Sequence, residues 1–334
     1  MSKILSKKTL AMLAVVSALP FGSAYAQDKI SMQMNWTADS AHLGFVMAEK
    51  LGIYDKHNLD VTLIEGRGSA VAAQLVASGQ VELGFADTVA AINIAAQGAP
   101  IRIISTIWKS GQFGVQSLET ANINEPKDLV GKRLAVNPGA AAVPLIPVFL
   151  KANGISESDV EIINASDTAF IGLLTSGQVD AVARTPENVV VPLAAEGYKA
   201  SNMYFYDHGV PLASLSLVAL DDKLKENPDM FRRFIEATAQ GWQEAMKDPK
   251  TAVDTLKEMF PETQLTHDAL MQGAVYSFNS VCPGGAGDSI GVTDAATWDK
   301  MYDVMTTAMG VPADRPVTDY YTNDYVPQTP VTCQ

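Results

Sequence analysis

The sequence predicts an α/β chain folded as two similar lobes, joined by two crossings, with a ligand cleft between them. The first observation behind this is a repeated phrase: SGQVELGFAD at Ser78–Asp87 returns as SGQVDAVARTPE at Ser176–Glu187. The second is the shared context of the copies. Each has an Ala/Leu-rich helical run (Val71–Ala77, Ile171–Thr175), a glycine, a short apolar strand (Val81–Ala86, Val179–Ala183) and then polar residues. Glycine ends such a helix because it takes the left-handed cap conformation without a Cβ clash. The third is that long helices appear only after Pro228, as if a half-built lobe were completed after a whole second one. The first lobe is then residues 28–115 plus 214–334, and the second is 116–213. The plainer alternative is that SGQV is a good helix stop used twice.

Bulk properties narrow the function. The chain has 334 residues, 47% hydrophobic and 18% charged, enough for one large or two ordinary domains and unlike a disordered composition. A net charge of −13, with no Lys/Arg-rich patch to reverse it, argues against nucleic acid as a partner. Residues 1–26 read as an export signal: Lys3, Lys7 and Lys8, the apolar run Leu10–Phe21, then Ala24-Tyr25-Ala26 as a small-x-small cleavage site. Its removal leaves 21 Lys+Arg against 37 Asp+Glu, a net charge of −16. The apolar run is too short for a membrane span, so a soluble periplasmic protein is expected, with no membrane insertion after signal removal. Two cysteines remain, Cys282 and Cys333. In an oxidising compartment they either bridge, tying down the tail, or stay as two thiols.

Along the chain, Ile30–Met34 alternates like a first strand, and the polar loop NWTADSAH (Asn35–His42) follows it. Leu43–Leu51 has helical periodicity up to Gly52, and Leu59–Ile64 is a second strand. Gly66-Arg67-Gly68-Ser69 then leads into Ala70–Ala77, with Ser69 as N-cap and two glycines that would let backbone N–H groups face a ligand. Thr88–Gln97 is a helix, and Ile101–Ile107 a strand that delivers Trp108. Val115–Leu118 leaves the first lobe. Gly131–Val136 is a strand, Asn137–Ala142 enters a helix to about Asn153, Val160–Asn164 is a strand and Ala169–Thr175 a helix. After the second SGQV unit, Asn202–Tyr206 is a strand and Leu215–Ala219 crosses back. Four helices follow, Met230–Lys247, Pro249–Met259, Thr266–Ser277 and Thr297–Gly310, punctuated by Pro228, Pro249 and Pro261. The Tyr-rich end, Asp319–Pro330, is expected to wrap the surface.

In an open parallel sheet ligands gather at the carboxyl ends of strands, which selects the candidate binding residues. They are Asn35, Trp36, Thr37, Ser40, His42, Arg67, Gly68, Ser69, Asp87, Thr88 and Trp108 in the first lobe. In the second they are Asn137, Gly139, Arg184, Glu187 and Asn188. Trp36, in a polar loop, is a candidate stacking platform, and Trp108 either shares that role or packs structurally. Trp242 and Trp298 lie at apolar helical spacing and belong to the core. Asp87 and Thr88 serve either a ligand or the following helix as a cap, and His42 either touches ligand or caps its helix. Arg67 and Arg184 would hold an anion, or else form salt bridges with neighbours such as Glu187 or Asp87. No catalytic residue, metal site or cofactor is expected, since no nucleophile motif, phosphate loop or metal-ligand cluster appears.

MNWTADSAHLGFVMAEKLGIYDKHNLDVTLIEGRGS (Met34–Ser69) resembles the start of solute-binding proteins of ABC importers, in the branch that takes thiamine pyrimidine precursors, sulfonates, taurine and nitrate. SGQVELGFAD, LVGKRLAVNPG (Leu129–Gly139) and FIEATAQGWQEAMKDPKTAVDTL (Phe234–Leu256) are similar too, so the resemblance covers almost the whole mature chain. It implies a two-lobed type II periplasmic-binding fold, acting as a monomer, that closes on a small molecule and delivers it to a membrane permease. The Asn-Trp-Thr loop is most like that of the thiamine-pyrimidine-precursor proteins, although Ala38-Asp39 replaces their usual Pro and Asn. That points to a small planar heteroaromatic ligand, with an anion held by Arg67 and Arg184 as the alternative. Enzymes on this fold, a pyrimidine synthase and a desulfinase, resemble the chain as well. Their cysteine motifs have no counterpart in Asn35–His42 or elsewhere, so no enzymatic activity is expected. A sensory protein docking to a receptor shares every residue argument.

Overall fold

The computed structural model describes residues 26–334 apart from residue 141; all but the last residue of the expected export signal lies outside that range. Two five-stranded sheets form, one per lobe, with the same topology. The first lobe contributes β1 (Asp28–Gln33), β2 (Leu59–Ile64), β3 (Leu83–Asp87) and β4 (Ile101–Thr106). The second contributes β6 (Arg133–Val136), β7 (Glu161–Asn164), β8 (Ala181–Arg184) and β9 (Ala200–Tyr204). Each sheet is completed by a crossing strand: β5 (Gly114–Leu118) enters the second, and β10 (Leu215–Leu220) returns to the first. The orders are β2-β1-β3-β10-β4 and β7-β6-β8-β5-β9, so the crossing strand takes the same antiparallel place in both.

Helices cover the sheets. In the first lobe these are α1 (Leu43–Lys50), α2 (Ile53–Lys56), α3 (Ser69–Ala77) and α4 (Thr88–Ala96). In the second they are α5 (Leu145–Ala152), α6 (Phe170–Thr175) and α7 (Val190–Ala195). The return adds α8 (Asp221–Glu226), α9 (Pro228–Lys247), α10 (Pro249–Met259), α11 (His267–Val281) and α12 (Ala295–Ala308). Proline opens α9 and α10, where its missing N–H costs nothing, and Asn227 and Asp248 cap them through Met230 N and Thr251 N.

Both SGQ glycines do what the repeat requires: Gly79 and Gly177 sit at φ +69° and +68° just beyond α3 and α6, with open space where a Cβ would be. The strands that follow start two residues later than expected, at Leu83 and Ala181. The helix expected from Asn137 begins only at Leu145. The Asn137 side chain accepts from Gly139 N (3.1 Å), which closes a local turn instead. Ser69 is already helical, and Gly68 occupies the N-cap position.

Trp242 and Trp298 are fully buried, as helical spacing predicts. The C-terminal tail does more than wrap the surface. Tyr321 bridges to Ile103 beside β4 and stacks on Trp298 (4.3 Å, 11°), Tyr320 is buried, and Cys333 is bonded to Cys282. Among the described residues no helix is long and apolar enough to cross a membrane.

Candidate functional site

In the first lobe the chain leaves β1 through Asn35–Ser40, and this loop is zipped to the one that follows β2. Gly68 N donates to Asn35 O (2.8 Å), Gly66 N to Trp36 O (2.9 Å), and Ala38 N to Glu65 Oε1 (2.7 Å). The glycines are needed for approach: a Cβ at Gly66 would overlap the Met34 carbonyl. Their N–H groups are thus spent on the loop and do not face a ligand, contrary to the expectation for a Gly-x-Gly turn. His42 clips the loop from beneath. Fully buried, its Nδ1 accepts from Asp39 N (3.2 Å), which leaves Nε2 to donate to Asn35 Oδ1 (2.9 Å). This is a capping box, completed by Ala41 N donating to Asp39 Oδ1 (2.9 Å). His42 therefore caps and positions; it does not line the cleft.

In the second lobe the chain leaves β8 through Arg184-Thr185-Pro186-Glu187-Asn188. Proline disfavours helical backbone at Thr185, so a 3-10 turn at Pro186–Asn188 intervenes before α7. That turn projects Glu187 and Asn188 toward the first lobe, and Asn188 Nδ2 donates to Thr185 Oγ1 (2.6 Å). Arg184 pairs with Asp167 (3.1 Å), rather than with the Glu187 or Asp87 expected from sequence.

Between these loops lies a cleft of about 750 Å³, lined by both lobes, by Gln112 and Phe113 of the first crossing and by Leu215 of the second. It gathers eight of the expected residues: Asn35, Trp36, Thr37, Ser40, Trp108, Arg184, Glu187 and Asn188. Trp36 is 53% exposed although indole is a large apolar group, whereas Trp108 is 3% exposed and its Nε1 has no hydrogen-bond partner. Glu187 Oε2 is likewise buried and unpartnered. Burial, and then the charge of Asp39 across the cleft, push the Glu187 carboxyl up to about 7. Four carboxylates line the cleft, Asp39, Glu65, Glu187 and Glu262, against one cation, Arg184.

The remaining expected residues serve the scaffold. Asp87 Oδ1 caps α4 through Val89 N (3.0 Å) and Ala90 N (3.3 Å), and burial raises its carboxyl to about 6. Thr88 is wholly buried, its Oγ1 donating to Ser214 O (2.9 Å) and lying 2.8 Å from Ser216 Oγ. Arg67 is exposed outside the cleft, Gly68 and Ser69 start α3, and Asn137 with Gly139 forms the closed turn already described. Several cleft residues escape sequence reasoning. Asp39 lies inside the Asn35–His42 loop but reads there only as a departure from the family pattern, Glu65 directly precedes Gly66-Arg67-Gly68, and Gln112 and Phe113 sit in the crossing. Glu262–Leu265 joins α10 to α11 and reaches the site because Thr263 Oγ1 donates to Ala38 O (3.0 Å).

The fold and family have counterparts. The NMT1/THI5 like family model matches residues 39–252. A Haemophilus influenzae protein named for thiamine biosynthesis is 26% identical over 230 residues, covering 69% of this chain and 73% of its own. A 4-amino-5-hydroxymethyl-2-methylpyrimidine phosphate synthase of Uromyces fabae is 25% identical over 312 residues, covering 90% and 88%. Among solved structures, the periplasmic aliphatic sulphonate binding protein of Escherichia coli superposes with a TM-score of 0.68 at 13% identity, covering 89% of this chain and 99% of its own. The two-lobed architecture is that of the periplasmic binding proteins.

Proposed function

The chain belongs to the NMT1/THI5-like family, and from that premise we propose that it is the substrate-binding component of an ABC importer, capturing a small planar heteroaromatic molecule by lobe closure. The observation that carries this reading is Trp36: a half-exposed indole on one lobe of a cleft whose other lobe presents Glu187. An indole face stacks on a planar ring, and a carboxylate accepts from ring amino groups, so together they suit an aminopyrimidine. The cleft volume lies within the usual range for small-molecule sites, about 300–1,000 Å³. In this reading the leader directs export to the periplasm, the free protein opens, and the closed, liganded form is what a membrane permease recognises.

An anionic ligand is disfavoured. Arg184 is already matched by Asp167, Arg67 stands outside the cleft, and four carboxylates would face the anion. The synthase names among its relatives favour a second reading, an enzyme that forms a pyrimidine phosphate. Against it, both cysteines of the sequence are joined in a disulfide, so neither supplies a thiol nucleophile. Melting-temperature shifts with aminopyrimidines, flavins, aromatic acids, sulfonates and nitrate test the proposal. An aminopyrimidine should raise the melting temperature and quench Trp36 fluorescence, and should be recovered chemically unchanged. A shift with sulfonates or nitrate alone overturns the planar-ring reading, and release of a newly formed pyrimidine phosphate by the protein favours the enzyme.

A further inference from the structure

Resting on the planar-ligand reading, the geometry points to a ligand that carries a positive charge, bridged on closure between Asp39 of the first lobe and Glu187 of the second. The two carboxylates belong to different lobes and line the same cleft, and the charge of Asp39 is felt at Glu187. Without a ligand they repel, which favours the open form; a cation between them turns that repulsion into two attractions. Glu187 also has a buried oxygen with no protein partner, a costly state for a carboxylate unless a donor arrives. Beyond its own backbone N–H and the Thr185 hydroxyl, which approach the carboxyl but leave Oε2 unpartnered, the groups facing Glu187 do not supply one. Arg184 on β8 is held by Asp167, and Tyr204 on β9 and Tyr276 on α11, both near enough to feel its charge, form no hydrogen bond with it. Glu65 and Glu262 add further negative charge at the cleft wall. The Trp36 face suits a cation as well as a neutral ring, because the indole quadrupole attracts positive charge. Trp108 offers one buried, unpartnered N–H, so the molecule should also carry a single acceptor such as a ring nitrogen. The ligand class that follows is an aminomethyl- or amidine-bearing heteroaromatic cation. A phosphorylated ring is excluded by the same charges.

A matched pair of probes, compared at about pH 7.5, tests this: 4-amino-5-hydroxymethyl-2-methylpyrimidine, whose ring is then uncharged, and its aminomethyl counterpart, an ammonium. Calorimetry on the full mature protein should show the ammonium binding at least about tenfold more tightly, with the preference shrinking as salt rises. Its affinity should increase from about pH 6 to about pH 7.5, because Glu187 must lose its proton to receive a cation. Glu187→Gln and Asp39→Asn should each erase most of the preference for the ammonium over the neutral probe. Asparagine at 39 keeps the acceptor for Ala41 N, and unchanged circular dichroism shows that the variants fold. Equal affinities for the two probes, or tighter binding of the neutral one, overturn the charge inference and leave the planar-ring reading intact. Binding of neither probe overturns both.

Discussion

The two lobes share one topology but place their cleft residues at different corners, and the contrast shows what converts a scaffold strand end into a cleft loop. In the first lobe the site loop follows the first strand, β1; its counterpart in the second lobe, after β6, closes on itself through Asn137 and Gly139. In the second lobe the site loop follows the third strand, β8; its counterpart after β3 runs straight into α4, with Asp87 and Thr88 consumed as cap and sheet anchor. The insertion of Pro186 and its 3-10 turn is the visible difference between those last two. Equivalent positions therefore do unequal work. The cleft is lined by one corner from each lobe, diagonal rather than symmetric.

The largest effects should separate the lobes by packing. Gly44 of α1 lies so close to α9 that a Cβ there would fall within the Trp242 ring, and Gly241 meets the Gly44 carbonyl in return. Gly172 of α6 has nothing within 4 Å. Gly44→Ala should destabilise by about 3 kcal/mol through overpacking that α1 can relieve only by moving. Gly172→Ala should stabilise by about 0.5–1 kcal/mol, since alanine is the better helix former. Chemical denaturation checks both; a neutral Gly44→Ala would mean that α1 and α9 are looser than they look. The bridge between Cys282 and Cys333, 51 residues apart, ties only first-lobe segments. Replacing both cysteines by serine should cost about 2–4 kcal/mol while leaving ligand affinity nearly unchanged.

Binding should separate the two SGQ units themselves. Trp36→Ala and Glu187→Ala should each weaken an aminopyrimidine cation by about thirtyfold or more, about 2 kcal/mol, through loss of the stacking face or of the carboxylate. Asp87→Asn, at the strand end of the other unit, should leave affinity within about twofold because asparagine still caps α4. Arg184→Ala should also be mild. A strong loss from Asp87→Asn would break the contrast between the units.

Much of this was legible because it is local. Leu59–Ile64 reads as a strand, Asp248-Pro249 starts a helix, and the polar run Asn35–His42 after a strand reads as a loop; the strand and helix appear where the residues put them, and the loop leaves β1 and lines the cleft. What misled were polar residues whose partners arrive much later. Thr88 reads as a ligand group until β10, some 126 residues on, supplies Ser214 and Ser216. Glu262–Leu265 reads as a plain turn, and only the packing of Thr263 on Ala38 brings it to the cleft. The two glycines of Gly66-Arg67-Gly68 suggested an anion nest, yet their conformation serves a backbone crossing. Local pattern specifies the elements, whereas cleft membership depends on contacts between distant segments.

The smallest effect sharpens the comparison through pH. Burial raises Glu187 from its ordinary 4.5 to about 7, and Asp87 from 3.8 to about 6. In both cases the folded protein binds the proton more tightly than the unfolded chain. Each group therefore lowers stability as pH rises through its window, and its effect is complete above the folded value. The windows differ, roughly pH 4–6 for Asp87 and pH 4.5–7 for Glu187. Glu187→Gln should consequently stabilise the ligand-free protein by about 1–2 kcal/mol at pH 8 and hardly at all at pH 4, while Asp87→Asn should reach its full, smaller gain by about pH 6.5. A bound cation should erase the Glu187 gain, because the charge that burdens the empty cleft is the one that the ligand uses. Unfolding curves measured across this range, with and without the ammonium probe, check both signs; a Glu187→Gln profile parallel to the parent's would show that the carboxyl is solvated and not held across the cleft.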